Sequence, residues 1–349
     1  MSSDASNPAG DMERLGRLAA VAPVEPEAVL DRARLVCASV RHLRSIADLT
    51  PAQAEALLTL ATALKQDWQA NPLTQRHLLE GRTLAMIFEK PSLRTRVSFE
   101  TLMVHLGGHA VNLQPQDIQL GKREAVSDVA AVLGRMAQGI TARVFRHEHV
   151  VELAEHAGVP VVNALSDKAH PCQALADFQT IRERRGSARR QRVAYFGDGN
   201  NVAHSLMQLG ARLGSQVVIA CPEGYEPDEG VRAEAAEQAQ ATGGSVEVTP
   251  DPQAAAEGAD VLYTDVWASM GQEDEAAERA RVFHPYQLGA DLIARAKPDC
   301  LVMHCLPAHR GQEISAEAMD GPHSVVFEQA ENRLHAQKAL LAVLMSERG

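Results

Sequence analysis

Thr83-Leu84-Ala85-Met86-Ile87-Phe88, followed by Glu89-Lys90-Pro91-Ser92-Leu93-Arg94-Thr95-Arg96, joins an apolar run to a turn and then to a basic segment. The apolar run predicts a buried strand. Phe99, Leu102, Met103 and Leu106 then recur at i, i+3, i+4 and i+7, the stripe of an amphipathic helix. Gly107-Gly108 supplies its stop, and Ser92 its N-cap. A strand followed by a helix in so short a span is the unit of a parallel sheet, and the same rhythm extends outward. Strands are predicted at 83–88, 110–113, 142–145 and 159–163. A second set falls at 192–196, 216–220, 245–248, 261–264, 301–303 and 325–327, with amphipathic segments between most of them. The expected fold is α/β, two doubly wound parallel-sheet domains of similar size. The polar stretch 182–191 is the boundary. A mobile extension is expected over 1–41, with helical character from Glu25 to Val40. Domains follow at 42–185 and 186–325, and residues 326–349 form a helix, strongest from Asn332 to Ser346, that packs back on the first domain.

Lys90, Arg94 and Arg96 crowd the start of the first helix, where the macrodipole favours acids. Together with Ser92, Thr95 and free backbone N–H groups they suit a bound phosphate. The net charge of −11 over 349 residues excludes a general affinity for nucleic acid or anionic membrane, so an anion must be held by local clusters such as this one. Five scattered cysteines form no C-x-x-C pair, which speaks against a disulfide framework and for a reducing, cytoplasmic setting. Fourteen histidines include the i, i+4 pair His105/His109, without an HExxH motif or acidic partner, and no metal site is expected. No apolar stretch approaches the ~18 residues of a membrane span, and the first 40 residues carry neither a secretory h-region nor transit-peptide character.

Parallel sheets bind ligands at the C-terminal ends of their strands, and four further motifs fall at such places. His170-Pro171-Cys172-Gln173 opens a helix, with Pro at its first position. Gly197-Asp198-Gly199-Asn200-Asn201 resembles a dinucleotide turn. It has Val202 where a third glycine belongs, and the next strand ends in Cys221-Pro222 rather than a ribose-binding acid. A nucleotide is thus disfavoured, and Asn201 is expected to bond a small polar ligand. Asp265-Val266-Trp267-Ala268-Ser269-Met270-Gly271 ends a strand in an acid and a loop, as a lid over an amine would. His304-Cys305-Leu306-Pro307 ends the next strand, so Cys305 and Asp265 are expected to share a site.

In their order and spacing these motifs resemble those of the ornithine carbamoyltransferases, from about residue 42 onward. Ser-x-Arg-Thr-Arg and His-Pro-x-Gln are similar to transcarbamylases generally. Asp-x-Trp-x-Ser-Met-Gly and His-Cys-Leu-Pro are similar to the ornithine-specific branch. Leu93 departs from the Thr found in many members. The resemblance implies transfer of the carbamoyl group of carbamoyl phosphate to the δ-amine of L-ornithine, giving L-citrulline and phosphate in arginine metabolism. By matched position it assigns Ser92, Leu93, Arg94, Thr95, Arg143, His170 and Gln173 to carbamoyl phosphate, with Cys305, Leu306 and Arg333 completing that site. Asn201, Asp265, Ser269 and Met270 are assigned to ornithine. Arg94, Arg143, His170, Asp265 and Cys305 are the implied catalytic set. Gln119 is also assigned to carbamoyl phosphate, and it matches a residue that reaches into the neighbouring subunit's site, which implies a homotrimer. No cofactor is implied, since the reaction needs no electron sink or hydride. The alternatives are a carbamoyltransferase for putrescine or acylated ornithine, a catalytically silent binding relative, and a nicotinamide-dependent oxidoreductase. Ser269-Met270-Gly271 disfavours the first, the retained Arg94, His170, Asp265 and Cys305 the second, and Val202 the third.

Overall fold

The computed structural model describes residues 25–268 and 273–346. Its first half runs α1 (Pro26–Val36), α2 (Pro51–Ala70), β1 (Thr83–Phe88), α3 (Leu93–His105), β2 (His109–Leu113) and α4 (Pro115–Ile118). It continues through α5 (Val126–Met136), β3 (Gly139–Arg143), α6 (His147–His156), β4 (Val161–Leu165) and α7 (Pro171–Arg185). The second half runs β5 (Arg192–Phe196), α8 (Asn201–Arg212), β6 (Gln216–Ala220), α9 (Glu229–Thr242), β7 (Ser245–Thr249) and α10 (Pro252–Ala256). It ends with β8 (Val261–Thr264), α11 (Ala276–Phe283), α12 (Ala290–Ile293), β9 (Leu301–His304), α13 (Ala316–Asp320) and α14 (Val326–Leu344).

The strands form two sheets, of order β2-β1-β3-β4 and β7-β6-β5-β8-β9. Every pairing within them is parallel. In each sheet the strand order reverses beside the first strand, which opens a crevice at the C-terminal strand ends. Separate apolar clusters fill the outer face of each sheet. A third runs unbroken from α1 and α2 through α7 and α8 to the inner face of the second sheet. The expected α/β architecture of two parallel-sheet domains holds, and α14 packs among α2, α3 and α7 of the first domain.

Local features follow from the residues. On α3 the predicted stripe Phe99, Leu102, Met103 and Leu106 is fully buried. Gly107 ends that segment with φ +81°, and a Cβ there would sit 1.8 Å from the carbonyl oxygen of Arg76, so glycine is required twice over.

Several boundaries differ from expectation. The third strand lies at Gly139–Arg143 rather than 142–145. It begins at a glycine whose missing Cβ makes room for Met345, and Phe145, outside it, is exposed. The fourth strand starts at Val161 rather than 159, because Pro160 offers no N–H to a ladder. The apolar run 325–327 is not a strand. The Val325 N–H makes a single bond to the carbonyl of Val302 beside β9, and the helix-forming residues that follow carry the chain directly into α14. The extension is not mobile throughout, since α1 docks Val29, Leu30 and Ala33 on the first domain.

Candidate active site

The loop after β1 delivers the basic segment to the crevice. Ser92 caps α3 through its Oγ, which accepts the N–H of Thr95 at 3.3 Å. Of the three nearby cations only Arg94 turns inward, donating to the carbonyl oxygen of Leu306 at 2.6 Å. Lys90 lies over the ring of Phe145, and Arg96 pairs with Glu100 at 2.9 Å on the surface. Arg96 is therefore not part of the cradle that its position in the sequence suggested. Leu93 is exposed, and only its backbone can serve a ligand.

Three more elements converge on Arg94. Arg143 ends β3, His170 and Gln173 open α7, and Arg333 arrives from α14; all four side chains are buried. Arg333 donates to Gln173 Oε1 at 2.7 Å and to Thr95 Oγ1 at 3.2 Å. Burial lowers the pKa of all three guanidiniums, and the charges of Arg333 and Arg94 help bring Arg143 to about 10. All three remain charged at neutral pH. Burial, and then the surrounding arginines, hold His170 well below the usual imidazole range, so its ring is neutral. Arg143 Nε and His170 Nδ1 are buried and have no hydrogen-bond partner among the described residues. Such a set of mutually repelling cations and unspent polar atoms fits a small dianion with a polar substituent.

The second sheet supplies the facing wall. β8 and β9 pair with Thr264 opposite His304, which sets Asp265 beside Cys305. The Cys305 thiol donates to Asp265 Oδ1 at 2.9 Å. Desolvation and the adjacent Asp265 charge push that thiol well above the usual cysteine range. The other oxygen of Asp265 accepts from Asn200 Nδ2 at 3.0 Å. Asn200 was passed over in the sequence, although its place offered a signal. It is the N-cap of α8, and with Oδ1 committed to the N–H groups of Val202 and Ala203 its amide nitrogen must point elsewhere. Gly199 makes this turn possible, for a Cβ there would lie 2.2 Å from the backbone nitrogen of Pro227.

Asn201, expected on a ligand, donates instead to the carbonyl of Ser166 at 2.6 Å and so ties the two domains together beside the cleft. Leu306 adopts φ +58° and turns its carbonyl to Arg94, while its N–H bonds His304 Nδ1. Gln119 stands apart: it is exposed at the left-handed end of α4 and shares no hydrogen bond with the other described site residues. Ser269 and Met270 lie outside the described residues. Asp265, His304 and Cys305 place ligand-type atoms within 4.8 Å of one another. Both ring nitrogens of His304 are already engaged, by Leu306 and Glu313.

An anion cradle at the strand ends of one parallel domain, faced by a carboxylate at the strand ends of the other, defines a two-domain transferase. The chain belongs to the aspartate/ornithine carbamoyltransferase family. Residues 41–183 match the family model for the carbamoyl-P binding domain, and 189–344 match that for the Asp/Orn binding domain. An ornithine carbamoyltransferase of Pyrococcus abyssi is 56% identical over 305 residues, covering 87% of this chain and 96% of that protein. An anabolic ornithine carbamoyltransferase of Pyrococcus furiosus is 55% identical over the same length, covering 87% and 96%. A solved structure of the ornithine carbamoyltransferase from P. furiosus superimposes with a TM-score of 0.85, covering 88% of this chain and 97% of that one.

Proposed function

We propose that this chain transfers the carbamoyl group of carbamoyl phosphate to the δ-amine of L-ornithine, releasing L-citrulline and phosphate. The observation that carries this reading is the convergence of Arg94, Arg143, Arg333 and neutral His170, from four separate elements, opposite Asp265 and Cys305. Ser92, the Leu93 backbone, Arg94 and Thr95 hold the phosphate at the N-terminus of α3, where the dipole favours it. Gln173 and Arg333 close the cradle, and the Leu306 carbonyl accepts from the carbamoyl nitrogen. Attack by the amine turns the carbamoyl carbon tetrahedral and its oxygen anionic. Arg143, His170 and Thr95 supply fixed donors there, and such donors contribute most where water is excluded. Arg94 stabilises the charge that grows on the departing phosphate.

The amine is the harder partner, since with a pKa near ~10.4 only about one molecule in a few thousand is neutral at pH 7. Asp265, with Ser269 and Met270, binds and orients it, and Asn201, its amide nitrogen held by Ser166, has its amide oxygen to offer. The raised thiol of Cys305 stays protonated through the working pH range, so Cys305 fixes the Asp265 carboxylate instead of acting as a thiolate base. The chemistry asks for no metal or cofactor.

We further propose a homotrimer in which Gln119 enters a neighbour's site. On α3 the face opposite the buried stripe exposes Leu93, Val97 and Val104, an apolar strip suited to a subunit contact. The proposed units are a carbamoyl phosphate domain over 42–185, an ornithine domain over 186–325 and a returning helix over 326–349. A place in arginine metabolism accords with those substrates, and the unpaired cysteines support a reducing, cytoplasmic setting. No helix among the described residues is long and apolar enough to cross a membrane. The deciding experiment is citrulline formation from carbamoyl phosphate and ornithine, with putrescine and N-acetylornithine as competitors. Absence of citrulline, or a preference for either competitor, overturns the assignment.

A further inference from the structure

Asp177 takes no part in the chemistry above, yet it sits where the two half-sites meet. It lies one turn beyond Gln173 on α7 and is fully buried. Its Oδ1 accepts from Gln173 Nε2 at 2.8 Å and from Gln329 Nε2 at 2.7 Å. Its Oδ2 accepts from the hydroxyl of Tyr263 at 3.2 Å. Each of these donors leads on to the site. Gln173 turns its other amide atom, Oε1, to Arg333. Gln329 accepts the backbone N–H of His304, next to Cys305, at 2.9 Å. Tyr263 lies near the C-terminal end of β8, two residues before Asp265, which follows directly on that strand's last residue, Thr264.

An amide side chain has one accepting and one donating end, so whatever binds the first end decides what the second presents. We propose that Asp177 is a positioning residue: by taking Gln173 Nε2 it directs Gln173 Oε1 onto Arg333, and it ties that arrangement to the strands bearing Asp265 and Cys305. Without an acceptor at 177, the Gln173 amide is free to turn. Its donor end then meets the guanidinium of Arg333, and the cradle loses the partner that holds Arg333 against Thr95. Burial pushes the Asp177 carboxyl up to about 7, against the opposing pull of Gln173, Gln329, Tyr263 and Arg333. Its neutral acid form, with one accepting oxygen, thus already occurs near physiological pH, and an asparagine reproduces that pattern.

The test compares Asp177→Asn with Asp177→Leu, replacements of similar size of which only the first retains an acceptor. Steady-state kinetics and calorimetric titration with inorganic phosphate supply the readouts. The proposal rests on reading Gln173 and Arg333 as carbamoyl phosphate contacts. Unmutated protein that makes no citrulline would overturn that reading, a result separate from those below. Asp177→Asn is expected to keep the KM for carbamoyl phosphate within about threefold. Asp177→Leu is expected to raise it at least about tenfold, the usual scale for a buried donor left unpaired, with a matching loss of phosphate affinity. Equal values for the two variants mean that residue 177 acts through packing alone and overturn the proposal. If Asp177→Leu does not fold, the double variant Gln173→Leu/Asp177→Leu, which removes both partners together, is compared with Gln173→Leu. A residue acting through Gln173 adds nothing in that background, and a further rise in KM refutes it.

Discussion

Lys90, Arg94 and Arg96 stand together in the sequence and part company in the fold: Lys90 stays in the turn before α3, and Arg94 and Arg96, two apart on the helix, face different ways. In the proposed site, replacing Arg94 by Ala removes a charge-assisted partner of the phosphate. The rate is expected to fall by about 10²-fold or more, with the thermal midpoint little changed, since a cation at a helix N-terminus opposes the dipole. Arg96→Ala is the matched control. It loses one exposed pair with Glu100, of a kind worth about 0.3–0.5 kcal/mol, and activity should stay near normal. Equal rates for the two variants would remove Arg94 from the site. At the facing wall, Asp265→Asn keeps the shape and deletes the charge, so ornithine affinity and turnover should both fall while the KM for carbamoyl phosphate changes much less. Activity should rise with pH as the neutral fraction of the amine grows. The Cys305 thiol titrates well above its usual range, so Cys305→Ala should lower the rate yet leave that rise where it was. A rise displaced in the variant would make the thiol a titrating participant.

Whole elements repeat the lesson that local signals carry as far as local forces decide. β1, β5, β6 and β8 were legible to the residue, each being a short aliphatic or aromatic run closed by a turn. Val325 to Phe327 misled because three β-formers outweighed the helical residues after them, and only the full length of α14 settles their state. The extension misled differently. Its composition is that of a tail, yet Val29, Leu30 and Ala33 match a groove on α2 that no sequence window contains. A chain begun at Ser39 should therefore melt several degrees lower. Burial of a large aliphatic side chain contributes about 1.5–3 kcal/mol, and α1 supplies two. Its turnover at low temperature should be unchanged, because α1 lies away from the cleft. An unaltered midpoint would show the helix to be a loosely held attachment.

Across the whole molecule, the site was legible wherever a motif held its own geometry, as Asp265 and Cys305 do at the ends of adjacent strands. It was illegible where partners come from distant elements. Nothing around Arg333 announces an active-site residue, and it was assigned through family likeness alone. Asn200 and Asp177 act through other side chains, which no spacing rule reports. The proposed trimer belongs to this scale as well. If Gln119→Ala and Arg94→Ala are each strongly impaired alone, mixtures whose subunits exchange should regain partial activity, because some sites then hold both intact residues. Proven exchange without recovery would mean that each site is built within one chain. One feature of the fold reaches beyond catalysis: Lys338 of α14 bonds Gln75 across 263 positions, and Arg333 bonds Thr95 across 238. Contacts so far apart in the chain must meet the entropy of closing a very long loop before they return any stability. A nascent chain leaving the ribosome therefore holds its first domain open, with the inner face of its helices uncovered, until residues 326–344 have been made. The first domain is translated well before α14, and the proposed phosphate-binding cluster takes form only once α14 has docked.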